Sequence, residues 1–147
     1  MSESLESSFG AILEQVGGEA FKAAGYTLDA NSLQQGRGLY RYQKALPDGA
    51  TAYLEFQVLN YGGQAPSRFR LSLLRNRGVE ARDNSDPARV EITLSRLLWD
   101  QFTVRVLDGA DHWWLFRTSH ELGMAIAAAG KLLFGFGIPW LEGTLMP

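Results

Sequence analysis

The chain contains no cysteine, which excludes disulfide staples, thiolate nucleophiles and cysteine-ligated metals. Histidine is scarce as well, with His112 and His120 the only two. They flank a strand-to-helix junction outside any triad or zinc signature. Asp108 or Asp111 would complete a metal set with them, but the spacing matches no standard metal motif. A structural or solvated role is assigned to both, and no catalytic residue, metal ion or other cofactor is expected. No apolar run approaches the roughly 20 residues that span a bilayer. Met1 to Glu6 lack the basic start and apolar core of a signal peptide. A soluble, cytoplasmic protein with no membrane partner is expected. Phosphate loops are missing too. Gly36-Arg37-Gly38 precedes a strand and Gly135-Phe136-Gly137 follows a helix, neither with the Lys or Ser/Thr that such loops place at a helix N-terminus, so both read as turn and cap glycines. Glu55 and Glu91 are strand carboxylates, and the solvated reading is preferred for them over a glycosidase-like pair.

What is present fits one compact domain over residues 1–147, long enough to bury roughly 70% of its unfolded surface. The net charge of −2 is unevenly spread. Residues 1–36 carry five acids and one lysine, residues 37–105 eleven bases and seven acids, and the remainder four acids and two bases. A basic middle between acidic ends suits an anionic partner, yet an excess of four charges is far from the footprint of a nucleic-acid binder. The segments are expected to neutralise one another in the fold.

Leu5, Phe9, Ile12, Leu13, Val16, Ala20, Phe21 and Ala24 recur at helical spacing and predict an amphipathic helix. Gly17-Gly18 predicts a kink or break in it, and Gly25 a left-handed cap with Tyr26 folding back. Gly38 to Ala45 reads as a strand, Leu46-Pro47-Asp48-Gly49 as a turn, and Ala52 to Leu59 as a strand with Ala52, Leu54, Phe56 and Val58 on its apolar face. Asn60 to Pro66 breaks the pattern before Phe69, Leu71 and Leu73 resume it. Residues 76–88 read as an exposed, mobile loop. Val90, Ile92 and Leu94 alternate again, Leu97-Leu98-Trp99 suggests a helical turn, and Thr103 to Leu107 is expected to pair with His112 to Phe116 as a hairpin. Thr118 and Glu121 have capping-box spacing before a helix bearing Leu122, Ala125, Ile126, Ala129, Leu132 and Leu133. Gly135 and Gly137 should end that helix at about Phe134, with Pro139 starting a last turn. The predicted fold is α+β, an antiparallel sheet of about five or six strands packed against an N-terminal and a C-terminal helix.

Gly25-Tyr26, Gly38 to Tyr40, Phe56-Gln57, Trp113-Trp114 and Gly137 to Glu142 together resemble the bacterial family called domain of unknown function 4304, over most of the chain from about Leu5. The segments at 60–66 and 76–88 depart from that pattern. The resemblance implies an α+β fold and carries over no catalytic residue. It implies no established activity, although small orphan bacterial domains of this type are often immunity or antitoxin partners, so a protein partner such as a toxin is expected.

One surface stands out. If the strands pair in order, Tyr53, Glu55 and Gln57 share the non-core face with Arg68, Arg70 and Ser72, and Arg41 is a further candidate. Neighbouring strand residues point to opposite faces, so Trp113 and Trp114 cannot both enter one core. Whichever faces outward, beside arginine, has the character of an interaction hot spot. The leading expectation is a non-enzymatic protein-binding domain using Tyr53, Glu55, Gln57, Arg68, Arg70 and one of the two tryptophans. A small-ligand or nucleic-acid module using the arginines is the alternative, and a plain solvated face with cross-strand Glu–Arg pairs is the bland one.

Overall fold

The computed structural model describes residues 5–59 and 65–147. Met1 to Ser4 and Asn60 to Gln64, most of the segment where the strand pattern breaks, lie outside the described residues. The order of elements is α1 (Leu5–Ala23), β1 (Thr27–Leu28), α2 (Ser32–Gly36), β2 (Leu39–Ala45), β3 (Thr51–Leu59), β4 (Ser67–Asn76), β5 (Val90–Thr93), α3 (Leu94–Arg96), a π-turn (Leu97–Gln101), β6 (Trp114–Phe116), α4 (Ser119–Leu132), a second π-turn (Leu133–Gly137) and α5 (Ile138–Leu141). The fold is α+β. All six strands are antiparallel, in the order β1-β2-β3-β4-β5, with β6 on the same edge of β4 as β5 but further along.

Hydrophobic alternation places one face of this sheet under α1 and α4. Ala52, Leu54, Phe56 and Val58 of β3 and Phe69, Leu71 and Leu73 of β4 are buried there with Phe9, Leu13 and Phe21 of α1 and Leu122, Ile126 and Ala129 of α4. Phe9 is the aromatic hub, with ring centroids 5.1 Å from Tyr40, 5.5 Å from Phe69 and 6.4 Å from both Phe56 and Phe116.

α1 does not break at Gly17-Gly18. A Cβ on Gly17 would sit 2.8 Å from the Phe21 ring, so this glycine makes room for a core aromatic instead of interrupting the helix. The cap is as expected. Gly25 has φ +92°, its N–H donates to Lys22 O at 3.0 Å, and the Tyr26 N–H donates to Phe21 O at 2.9 Å, the bond pattern of a Schellman motif. Tyr26 is thereby buried, and its hydroxyl donates to Glu142 Oε2 at 2.8 Å while Lys44 Nζ donates to Glu142 Oε1 at 2.9 Å. Burial, then the hydrogen bond to Glu142, pushes the Tyr26 phenol well above its ordinary range.

Three further expectations are corrected. Thr103 to Leu107 is not a strand, and β6 pairs with β4 through Ser67↔Phe116 and Phe69↔Trp114. The π-turn delivers Phe102 and Val104 to the core, Thr103 takes φ +51°, and no ladder partner for β6 remains on that side. Gly135 and Gly137 do not stop the last helix. The chain stays helical from Ser119 to Leu141, 23 residues with mean hydropathy 1.6 in its most apolar window, long and apolar enough by composition to cross a bilayer, contrary to the reading above. Here its inward residues pack on the sheet. A Cβ on Gly137 would lie 3.1 Å from Leu94 of α3 and 3.3 Å from Leu73 of β4, so that glycine serves close approach of the helix to the sheet and to α3. The helix end comes at Gly143, with φ +84°. Finally, the segment after β4 is no free loop. Asn76 is 1% exposed and its side-chain amide donates to Ala81 O at 3.0 Å and Asp83 O at 2.7 Å, folding residues 77–89 back over the outer face of the sheet.

Candidate functional site

The outer face of β2–β4 is divided in two. In the covered half, Ala81 packs with Tyr53 and Leu74 as a second, small apolar cluster. Glu55, expected to be solvated, is 2% exposed. Register sets Arg41 directly opposite it on β2, and Arg41 reaches Glu55 Oε2 with Nε at 2.6 Å and Nη2 at 2.5 Å. Arg82, from the covering segment, donates to the other side of the carboxylate, Nη2 to Oε1 at 2.6 Å and Nη1 to Oε2 at 3.1 Å, and its Nε lies 3.0 Å from Glu91. Two guanidinium forks thus satisfy one buried carboxylate, the condition under which a buried ion is tolerated. The Glu55 carboxylate beside it holds the Arg82 guanidinium above its ordinary range. Tyr53 and Glu55 therefore belong to an internal clasp. The cross-strand Glu–Arg pair exists, but it runs to Arg41 and not to Arg68 or Arg70.

The open half lies further along β3 and β4. Gln57 is directly opposite Arg70, and Arg68 is directly opposite Leu115 of β6. Strand alternation sends Arg68 and Arg70 outward because Phe69 between them is fully buried. The Trp ambiguity resolves here. Trp114 turns inward and stacks on Phe69, centroids 5.5 Å apart and planes 15° from parallel. Trp113 stays half-buried on the outer face, where the guanidinium carbons of Arg68 and Arg70 lie 4.6 Å and 5.0 Å from its ring centroid. Such contacts add roughly 0.5–1 kcal/mol each at exposed sites and fix the planes of both guanidinium groups. Arg70 is exposed and has no acidic partner among the described residues. Among the described residues, the Gln57 amide makes only long contacts, Nε2 to Arg37 O and to Val58 O, both at 3.4 Å.

The segment entering the patch is held from behind. Buried Ser95 donates its hydroxyl to Ala110 O at 2.8 Å and accepts the His112 N–H at 3.2 Å, while Arg96 Nη2 lies 2.9 Å from Asp111. His112 packs edge-on against Trp114, centroids 4.7 Å apart, whereas His120 is exposed in the first turn of α4. Among the described residues, no three His, Asp or Glu side chains are gathered as metal ligands. Burial pushes the His112 imidazole down, against an opposing effect of Asp108. Folding thus favours its neutral form, so the stability it contributes is present above the unfolded value of about 6.5 and lost as pH falls below it. Proton NMR should show His112 titrating below that value, and His112→Gln should flatten the acid side of the stability profile. A normal or raised titration would contradict the packing described.

Leu115, 58% exposed and opposite Arg68, was not singled out from the sequence, although strand alternation already put it on the same face as Trp113. Arg82 gave no signal at all, because nothing in a charged turn-rich segment points to a strand carboxylate. Against protein-family models, curated proteins and solved structures, the chain has no match.

Proposed function

We propose that the protein is a non-enzymatic, cytoplasmic binding domain that docks an acidic surface of a protein partner on Trp113, Arg68, Arg70, Leu115 and Gln57. The observation that carries the reading is Trp113 itself: a large ring kept on the surface, braced by two arginines, next to an exposed leucine. An amphipathic ring braced by two guanidinium groups, that of Arg70 exposed, is the composition of a hot spot, where apolar contact and charge-assisted hydrogen bonds coincide. The sequence resemblance to the domain of unknown function 4304 family makes a toxin neutralised by an immunity protein the partner class to test first.

Trp113→Ala should lower the unfolding free energy by about 1–3 kcal/mol, less than truncating a fully buried ring, since it removes the buried part of a half-buried indole together with two cation–π contacts, and should leave the protein folded. It should nevertheless abolish recovery of a protein that the tagged wild-type domain captures from its host. A partner recovered equally by both forms would place binding elsewhere.

A further inference from the structure

We propose that the cleft between α1 and α4 is a second binding site, for a small amphiphilic anion with a single alkyl or aryl body and one carboxylate. The two helices approach at Val16 and Gly123, where an added Cβ would lie 3.9 Å from Val16 Cγ2. Further along, a cavity of about 350 Å³ opens between them. Its floor is aromatic. Phe21 and Phe56 are each 2% exposed, their ring centroids are 6.0 Å apart, and Phe134 closes one side with its centroid 5.5 Å from Phe21. The walls are small, with Gly17 and Ala20 on α1 and Gly130 on α4. Val16, placed on the core-facing stripe by its helical spacing, is 42% exposed at the rim because no core residue fills this gap.

The lining selects the occupant. Apolar clefts of roughly 300–1,000 Å³ with one or two polar groups at the rim are the usual form of small-molecule sites, and this one is at the small end. A partner helix, about 10–12 Å across with its side chains, would cover the mouth and leave the aromatic floor unfilled. A single chain or ring fills it. Lys131 is the one charged residue in the lining; it is exposed and has no ion pair among the described residues. Neither Glu14 nor Glu19 of α1 lines the cavity. An ammonium group at the mouth of an otherwise uncharged aromatic cleft pairs with a carboxylate head, and burying the apolar body supplies the remaining affinity.

Sodium octanoate below its micellar range is a suitable probe, with octylammonium as the charge control. Isothermal titration of wild-type protein should give saturable one-to-one binding of octanoate, and octylammonium should bind at least tenfold more weakly. Lys131→Met should weaken octanoate at least fivefold. Gly130→Leu should abolish binding, because a Cβ there meets nothing within 4 Å and the longer side chain has the cleft to fill. Nuclear Overhauser contacts from octanoate to the rings of Phe21, Phe56 and Phe134 in the wild-type protein give a test independent of any variant. Absence of saturable binding through the millimolar range, equal binding of octylammonium, wild-type binding by a folded Gly130→Leu, or contacts to other aromatic rings would each overturn the assignment.

Discussion

Replacing Glu55 by alanine is expected to destabilise the protein by about 3–5 kcal/mol, the cost of removing one member of a buried ion cluster. The substitution leaves Arg41, whose side chain is 13% exposed, with no carboxylate to accept its Nε and Nη2 donors. It also cuts the anchor of Arg82, and with it the covering segment 77–89. The charge left behind is the larger effect, because Arg82 is 51% exposed and regains water when released. Arg82→Ala should therefore cost much less than Glu55→Ala, though both should raise amide exchange and tryptic cleavage between Arg77 and Arg89. Urea melts in which Glu55→Ala falls within 1 kcal/mol of wild type would show that the clasp is not closed in solution.

Phe69→Ala should cost as much, about 3–5 kcal/mol for truncating a fully buried aromatic. Phe69 lies under the proposed binding surface. Its ring stacks on Trp114 and contacts Phe9, Phe56 and Phe116 at centroid distances of 5.5–6.3 Å, so truncation leaves a cavity lined by rigid rings with little freedom to collapse. It also loosens the residue that fixes the adjacent Trp113, so partner binding should weaken even where the variant remains folded. Phe69→Leu, which keeps most of the volume, should lose under half as much stability. Equal melting of Phe69→Ala and wild type would contradict the placement of β4 in the core.

The β2–β4 meander, the Gly25 cap, the Thr118 cap and the shared outward face of Gln57 and Arg70 were legible because each follows from local periodicity or turn chemistry. What stayed illegible depends on contacts distant in sequence. Residues 76–88 read as loose because their apolar content is slight and the order of the stretch after Asn76 comes from the side chains of Asn76 and Glu55, which belong to β4 and β3. The hairpin at 103–116 was misread because alternation alone does not name a strand's partner, and β4 offered a free edge beyond β5. Gly17, Gly135 and Gly137 read as breaks because a sequence does not distinguish a glycine that ends a helix from one that lets a neighbour approach or that the helix simply tolerates. The two tryptophans were separable only once Phe69 was known to stack on Trp114.

The most direct test of the proposed function is calorimetric titration of the captured partner with the double variant Arg68→Glu/Arg70→Glu. Arg70 is exposed and Arg68 partly buried, so the double variant should remain folded, its melting temperature lowered by the lost contacts to Trp113 and by the partly buried charge at position 68. Affinity should drop by about 2 kcal/mol or more, roughly 30-fold, because two guanidinium contacts become like-charge contacts with an acidic partner. Wild-type affinity in the folded double variant would remove this face from the interface. A steep salt dependence with RNA or DNA, lost in the same variant, would reassign it to phosphate recognition.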